Sequence, residues 1–341
     1  MSDSEARATY RRLQWMVAIV SVTALLAFVA IQQPPSPVYE SGRDVSPYGY
    51  TISLVLFFVP VAFLFVWFWQ RRRILVENWK AFWVTFAIIV VVWSALDVLV
   101  ANTIFEFPNP DATVGFDLPG YDPTTGWGRN VPIEEFLFYI SGSAFILLLY
   151  IWSAEVWYSH YSRDRHAYKE YGDARLFLRN LFHGRSLAIG VGLVIAGIVA
   201  KKLGPTPDGF PLYFTFLVLI VVTPTAMCFE AVLRFLNLRA FLFTIQALLA
   251  ISILWEVTLG LPYGWWGYKP QNMLGWFITP WSNLPVEAPL LWLVAAWSNI
   301  GIYEVAKIFY SVRDRKVKDV LFKKANAAGR PFPEDTGHLS P

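Results

Sequence analysis

Apolar runs of membrane-spanning length recur along this chain, separated by short polar, charged or Gly- and Pro-bearing stretches. They predict spanning helices at roughly 13 to 32, 50 to 70, 79 to 101, 132 to 152, 186 to 203, 211 to 233, 239 to 259 and 285 to 309. Most of these runs reach the roughly 20 residues that a bilayer core requires, and the fifth is near the short end. The first follows Arg7, Arg11 and Arg12, as a signal sequence would. Its apolar run is long and no clear small-residue cleavage pattern follows, so a retained anchor is expected. The fold class expected is all-α, a polytopic membrane protein with about eight transmembrane helices in two parallel four-helix repeats. The boundaries are a first membrane repeat over 1–152, a cytoplasmic connector over 153–185 and a second membrane repeat over 186–310. A charged, partly disordered cytoplasmic tail follows over 311–341.

Composition supports the membrane reading. Of 341 residues, 56% are hydrophobic and only 16% charged, outside the usual balance of a soluble domain. The single cysteine, Cys228, excludes a disulfide scaffold or a cysteine-rich metal site. Charge then orients the chain. With the N-terminus inside, the cytoplasmic segments hold 23 of the 28 Lys and Arg residues, leaving Arg43, Arg129, Lys201, Lys202 and Lys269 outside. That asymmetry predicts a multi-pass cell-membrane protein with both termini cytoplasmic. The basic residues follow bilayer topology, so no nucleic-acid partner is implied. His160, His166 and His183 lack convincing ligand spacing, and Glu230 with Arg234 reads as a local ion pair. Gly190-Val191-Gly192 lies inside a membrane helix, without the further glycine a dinucleotide fingerprint needs.

The two halves resemble one another. Pro60 in the second span matches Pro224 in the sixth, and Asp97 near the outer end of the third span matches Glu256 in the seventh. Each acid precedes an aromatic loop and then a Pro-x-Glu opening, Pro132-Ile133-Glu134-Glu135 in one half and Pro285-Val286-Glu287-Ala288 in the other. Four spans separate equivalent elements, so both copies share one orientation, compatible with a site between repeats.

Asp97, Glu134, Glu135, Glu256 and Glu287 all fall toward the outer side of the bilayer. Proline suits a first helical turn and an acid there gains from free amides and the helix dipole, which is the purely structural explanation. Five acids in matched positions at membrane depth also point to a task, because burying ionised carboxylates is expensive. On a helix Glu134 and Glu135 point about 100 degrees apart, so they cannot serve one small pocket alike. Glu134 is the member that Glu287 matches. A carboxyl that keeps its proton beside an ionised partner supplies an acid and a base. Aromatic residues cluster near these positions: Trp93, Phe136, Phe138 and Tyr139 in one half, and Trp255, Trp265, Trp266 and Trp292 in the other. Such rings could stabilise a carbocation or simply pack at the membrane interface.

Asp97 together with Val131-Pro132-Ile133-Glu134-Glu135-Phe136-Leu137-Phe138, and the second site Leu284-Pro285-Val286-Glu287, resembles the membrane-integral lycopene cyclase family of bacteria, archaea and fungi. The resemblance covers roughly 50 to 309 and is strongest over the third and fourth spans. It implies the fused form of a two-subunit enzyme that cyclises carotenoid end groups without redox change, metal or cofactor. By that resemblance Glu134 is the acid, Glu287 or Asp97 accepts or relays the proton, Glu256 supports the second site and Glu135 tunes the pair. The implied partners are a long hydrophobic isoprenoid such as lycopene and membrane lipids. Whether the chain forms a homo-oligomer is left open, as are chain length and the beta or epsilon product. Ala288 and the longer loops depart from the compact family pattern. A carotenoid hydratase, another terpene cyclase and a membrane transporter are the alternatives.

Overall fold

A computed structural model describes residues 46–70, 72–161, 183–233 and 235–327. The expected first span, 13 to 32, and residues 162–182 of the connector lie outside the described residues. The fold is predominantly helical. Among the described residues, five helices are long and apolar enough to cross a membrane: α1 Gly49–Gln70, α2 over Trp79–Ile104, α3 over Ile133–Trp157, α4 Gly184–Leu203 and α7 over Leu238–Gly260. α2 as a whole runs Arg72–Ile104. These correspond to five of the spans read from hydropathy.

The other two expected spans take different forms. The stretch at 211 to 233 is broken into a short apolar helix α5, Leu212–Ala226, and α6, Phe229–Leu233. A π-helical segment, Leu217–Val222, interrupts α5. The stretch at 285 to 309 opens α8, Glu287–Ala327, a single helix of 41 residues. A helix therefore continues through Ala327 where disorder is expected from about 311. Propagation explains this: extending an existing helix adds a hydrogen bond per residue fixed, and the Lys-, Arg- and Ala-bearing sequence is helix-compatible.

α3 is the central element. Its apolar window is 72% buried, against 17% to 39% for the other four candidate spans. It packs on α1, α2, α7 and α8, while α8 also packs on α2 and α7. Serine, glycine and alanine at Ser141, Gly142, Ser143 and Ala144 let neighbouring helices approach it closely.

Among the described residues, three two-stranded sheets close one end of the bundle. β1 (Phe105–Glu106) pairs antiparallel with β4 (Gly267–Tyr268), joining the two halves. β2 (Asp117–Asp122) pairs with β3 (Gly126–Pro132), and β5 (Phe277–Ile278) with β6 (Leu284–Pro285). The loops carrying them repeat a local design. A 3-10 turn at Pro110–Ala112 leads to Gly115, φ 72°, and another at Pro270–Asn272 leads to Gly275, φ 97°. Phe116 O then accepts from Ile133 N at 3.0 Å, and Trp276 O accepts from Val286 N at 3.1 Å. The turns also cross between halves: Asn109 N donates to Gly264 O at 3.1 Å, and Lys269 N donates to Ile104 O at 2.9 Å.

Candidate functional site

The Pro-x-Glu openings become helix starts. Pro132 precedes the first turn of α3, which holds Glu134 and Glu135, and Glu287 begins α8. Glu134 and Glu287 are both fully buried. Glu134 Oε1 accepts from Val114 N at 2.8 Å and from Thr51 Oγ1 at 2.5 Å. Glu287 Oε1 accepts from Leu274 N. Val114 and Leu274 each immediately precede the positive-φ glycine of their loop. These two carboxylates therefore perform equivalent jobs, tying the loop onto the helix it precedes.

Glu135 turns elsewhere. Its Oε1 accepts from Tyr50 Oη at 2.5 Å, and it lines a chamber with Tyr50, Trp255, Glu256, Trp266 and Trp292. Glu256 arrives from the opposite half, at the π-turn Glu256–Gly260 that ends α7. Tyr268 Oη and Trp292 Nε1 donate to it, the latter at 3.2 Å. Asp97 is buried just behind the wall, accepting from Tyr139 Oη at 2.9 Å, and Tyr139 itself lines the chamber. Among the described residues that line this space there is no Lys, Arg or His. Glu135 and Glu256 thus share a pocket whose other polar atoms are phenols and indoles.

The aromatic wall is continuous. Trp255 lies with ring centroids 4.5 Å from Trp266, 5.2 Å from Phe138 and 5.9 Å from Tyr50. Phe138 meets Trp292 edge-on at 5.2 Å. Of the aromatic residues singled out from sequence, Phe138, Tyr139, Trp255, Trp266 and Trp292 line the chamber. Trp93 lines a second, deeper one. Trp265 stands behind Tyr50, stacked on it at 6.4 Å and donating from Nε1 to Ser46 Oγ at 2.8 Å. Phe136 is half-buried and lines neither chamber.

The second chamber shares Phe138, Tyr139, Leu291 and Trp292 with the first and lies along α3 and α8 as far as Ile146 and Asn299. The two helices contribute matching stripes. Counted from Pro132 and Pro285, Phe138 corresponds to Leu291, Tyr139 to Trp292, Gly142 to Ala295 and Ile146 to Asn299. The match extends to bonding, since Tyr139 donates to Asp97 as Trp292 donates to Glu256. Glu135, by the same count, corresponds to Ala288.

Tyr50, Tyr268 and Asn299 are absent from the sequence-based set. Tyr50 had a signal, because Tyr213 occupies the comparable place before Pro224 and makes the comparable ring contact. Tyr50 touches Trp265 and Tyr213 touches Phe105. Asn299 had none beyond being polar within an apolar run. Elsewhere, His166 and the Glu230–Arg234 side chains lie outside what is described. No three His, Cys, Asp or Glu side chains gather as a metal site among the described residues. Compared with family models, curated proteins and solved structures, the chain matches none.

Proposed function

We propose that this chain is a membrane-embedded, non-redox isoprenoid cyclase of the lycopene-cyclase type, acting on a linear lycopene-like end group. In this reading it has eight spans in two parallel four-helix repeats, with both termini cytoplasmic. The observation that carries the reading is that Glu135 and Glu256, one from each half, line one aromatic chamber. Their geometry shifts the proposed acid from Glu134 to Glu135, because Glu134 and Glu287 are engaged in holding loops.

Glu135 in its acid form gives its proton to the terminal carbon–carbon double bond, leaving a tertiary carbocation. The π electrons of the next suitably placed alkene attack that centre, forming the ring bond and moving the positive charge into the ring. Glu256 as carboxylate removes an adjacent ring proton and restores an alkene. Atoms and electrons balance within the substrate, so the product is an isomer. Tyr50 and the Tyr268–Trp292 pair orient the two carboxyl groups, and the faces of Trp255, Trp266 and Phe138 favour a passing cation by about 0.5 to 2 kcal/mol per contact. Chamber walls of this kind also keep water from capturing the cation.

Purified full-length protein given lycopene, with no nucleotide, flavin or metal added, is expected to yield a cyclic product of unchanged mass. Glu135→Gln and Glu256→Gln are each expected to lower turnover by about a hundredfold or more, in the range assigned to a lost general acid or base. Full turnover in both variants would sink the assignment. A product heavier by one water would identify hydration instead of ring closure.

A further inference from the structure

The deeper chamber ends on an amide that has no partner for its oxygen. Asn299 is 1% exposed, and its Nδ2 donates to Ala295 O at 2.9 Å. Its Oδ1 has no hydrogen-bond partner. The Nδ2 bond fixes which way the amide faces, because a carbonyl oxygen in that place could not bond another carbonyl. What Asn299 offers the chamber is therefore an acceptor. Ser143, buried across the same space, adds a hydroxyl that can donate or accept. The matching position on α3 is Ile146, so the amide belongs to one half only. A polar side chain at membrane depth with an unmet bond is where a ligand group is expected.

We propose that the deeper chamber binds a hydroxyl group, so that a linear isoprenoid alcohol is held in preference to the matching hydrocarbon, its alkene end toward Glu135 while its hydroxyl donates to Asn299 Oδ1 and accepts from Ser143 Oγ. The statement rests on the cyclase reading for the chemistry at the other end and narrows its substrate. A rise of 1.5 Å per residue puts the level of Ile146 and Asn299 about 16 Å from that of Glu135, the reach of a sesquiterpene-length chain. Phe138, Leu291 and Trp292 line both chambers, and Gly142 and Ala295 line the deeper one, all suited to an apolar chain.

Isothermal titration of the full chain in detergent with farnesol and with its hydrocarbon analogue farnesene tests the inference without needing turnover. Farnesol is expected to bind about tenfold more tightly, the effect of one net hydrogen bond. Asn299→Leu, which imitates Ile146 opposite, is expected to erase that preference and leave farnesene affinity unchanged. Gly142→Leu checks the location independently. An added Cβ there meets only Phe138 Cε2 at 4.0 Å, so the larger side chain projects into the chamber and is expected to weaken both ligands. The inference is overturned by equal affinity of the two ligands for the unaltered protein, as when water occupies the amide. It is overturned equally by a preference that survives Asn299→Leu, by unaltered binding in Gly142→Leu, or by no binding of either compound. Failure of the lycopene assay alone would leave the alcohol preference intact, so the two readings fail separately.

Discussion

Glu134 and Glu135 are neighbours in sequence with unrelated surroundings. The first meets a backbone amide and the Thr51 hydroxyl, while the second meets the Tyr50 phenol and the chamber. The difference follows from helix geometry, since one residue's step turns the side chain by about 100 degrees. Their substitutions should separate accordingly. Glu134→Ala strands a loop amide and a threonine hydroxyl, and removing hydrogen bonds to a charged or strongly polar group of this kind costs about 1.5 to 3 kcal/mol. It is expected to lower thermal stability in detergent, whereas Glu135→Gln retains the wild-type melting temperature and loses turnover. Melting curves that rank the two variants the other way would contradict the roles assigned to them.

At the scale of elements, the Pro-x-Glu corner is built twice from different side chains. Both copies use a 3-10 turn, a positive-φ glycine, a short strand pair and a carboxylate on a loop amide. Within the helical parts the copies differ by single residues, and π-helical turns accompany those insertions. Tyr213 precedes Pro224 by one residue more than Tyr50 precedes Pro60, and the π segment Leu217–Val222 lies between them. Likewise Glu256 is one residue farther from Gly264 than Asp97 is from Ile104, and Glu256–Gly260 is π-helical. A π-bulge takes up an extra residue while the flanking turns keep their faces. The two glycines predict unequal sensitivity. Gly115→Ala meets open space and faces only the left-handed φ, a cost of about 1 kcal/mol. Gly275→Ala adds a Cβ 2.0 Å from Thr206 Oγ1 to the same strain and is expected to be the less stable variant in parallel unfolding measurements.

At the scale of the whole molecule, the two chambers exist because α3 and α8 present matched stripes to both, while α1 and α7 complete the walls of the first. The proposed orientation has a direct test. Cys228 is the only cysteine, so Cys228→Ser gives a background into which Asp122→Cys and His160→Cys can be placed singly. In intact cells a membrane-impermeant maleimide is expected to label the first and spare the second until the membrane is opened. The reverse pattern would invert the topology, and labelling of both would remove an odd number of crossings between the two sites.

Hydropathy alone determined that the chain carries several helices able to cross a membrane, because burying backbone in lipid leaves few other solutions. It also located the two Pro-x-Glu corners, whose equivalence could be read from spacing. The break at 211 to 233 and the continuation of α8 were not legible, since π-turns and helix propagation depend on neighbours more than on apolar content. Nor could sequence assign the five acids their separate surroundings. Each lies near a helix end among aromatic residues, and the choice between loop and chamber was made only when α1, α7 and α8 docked around α3. The Tyr50 and Trp292 donors come from elements distant in sequence, and they, not the motif, determine which carboxyl groups face an empty space.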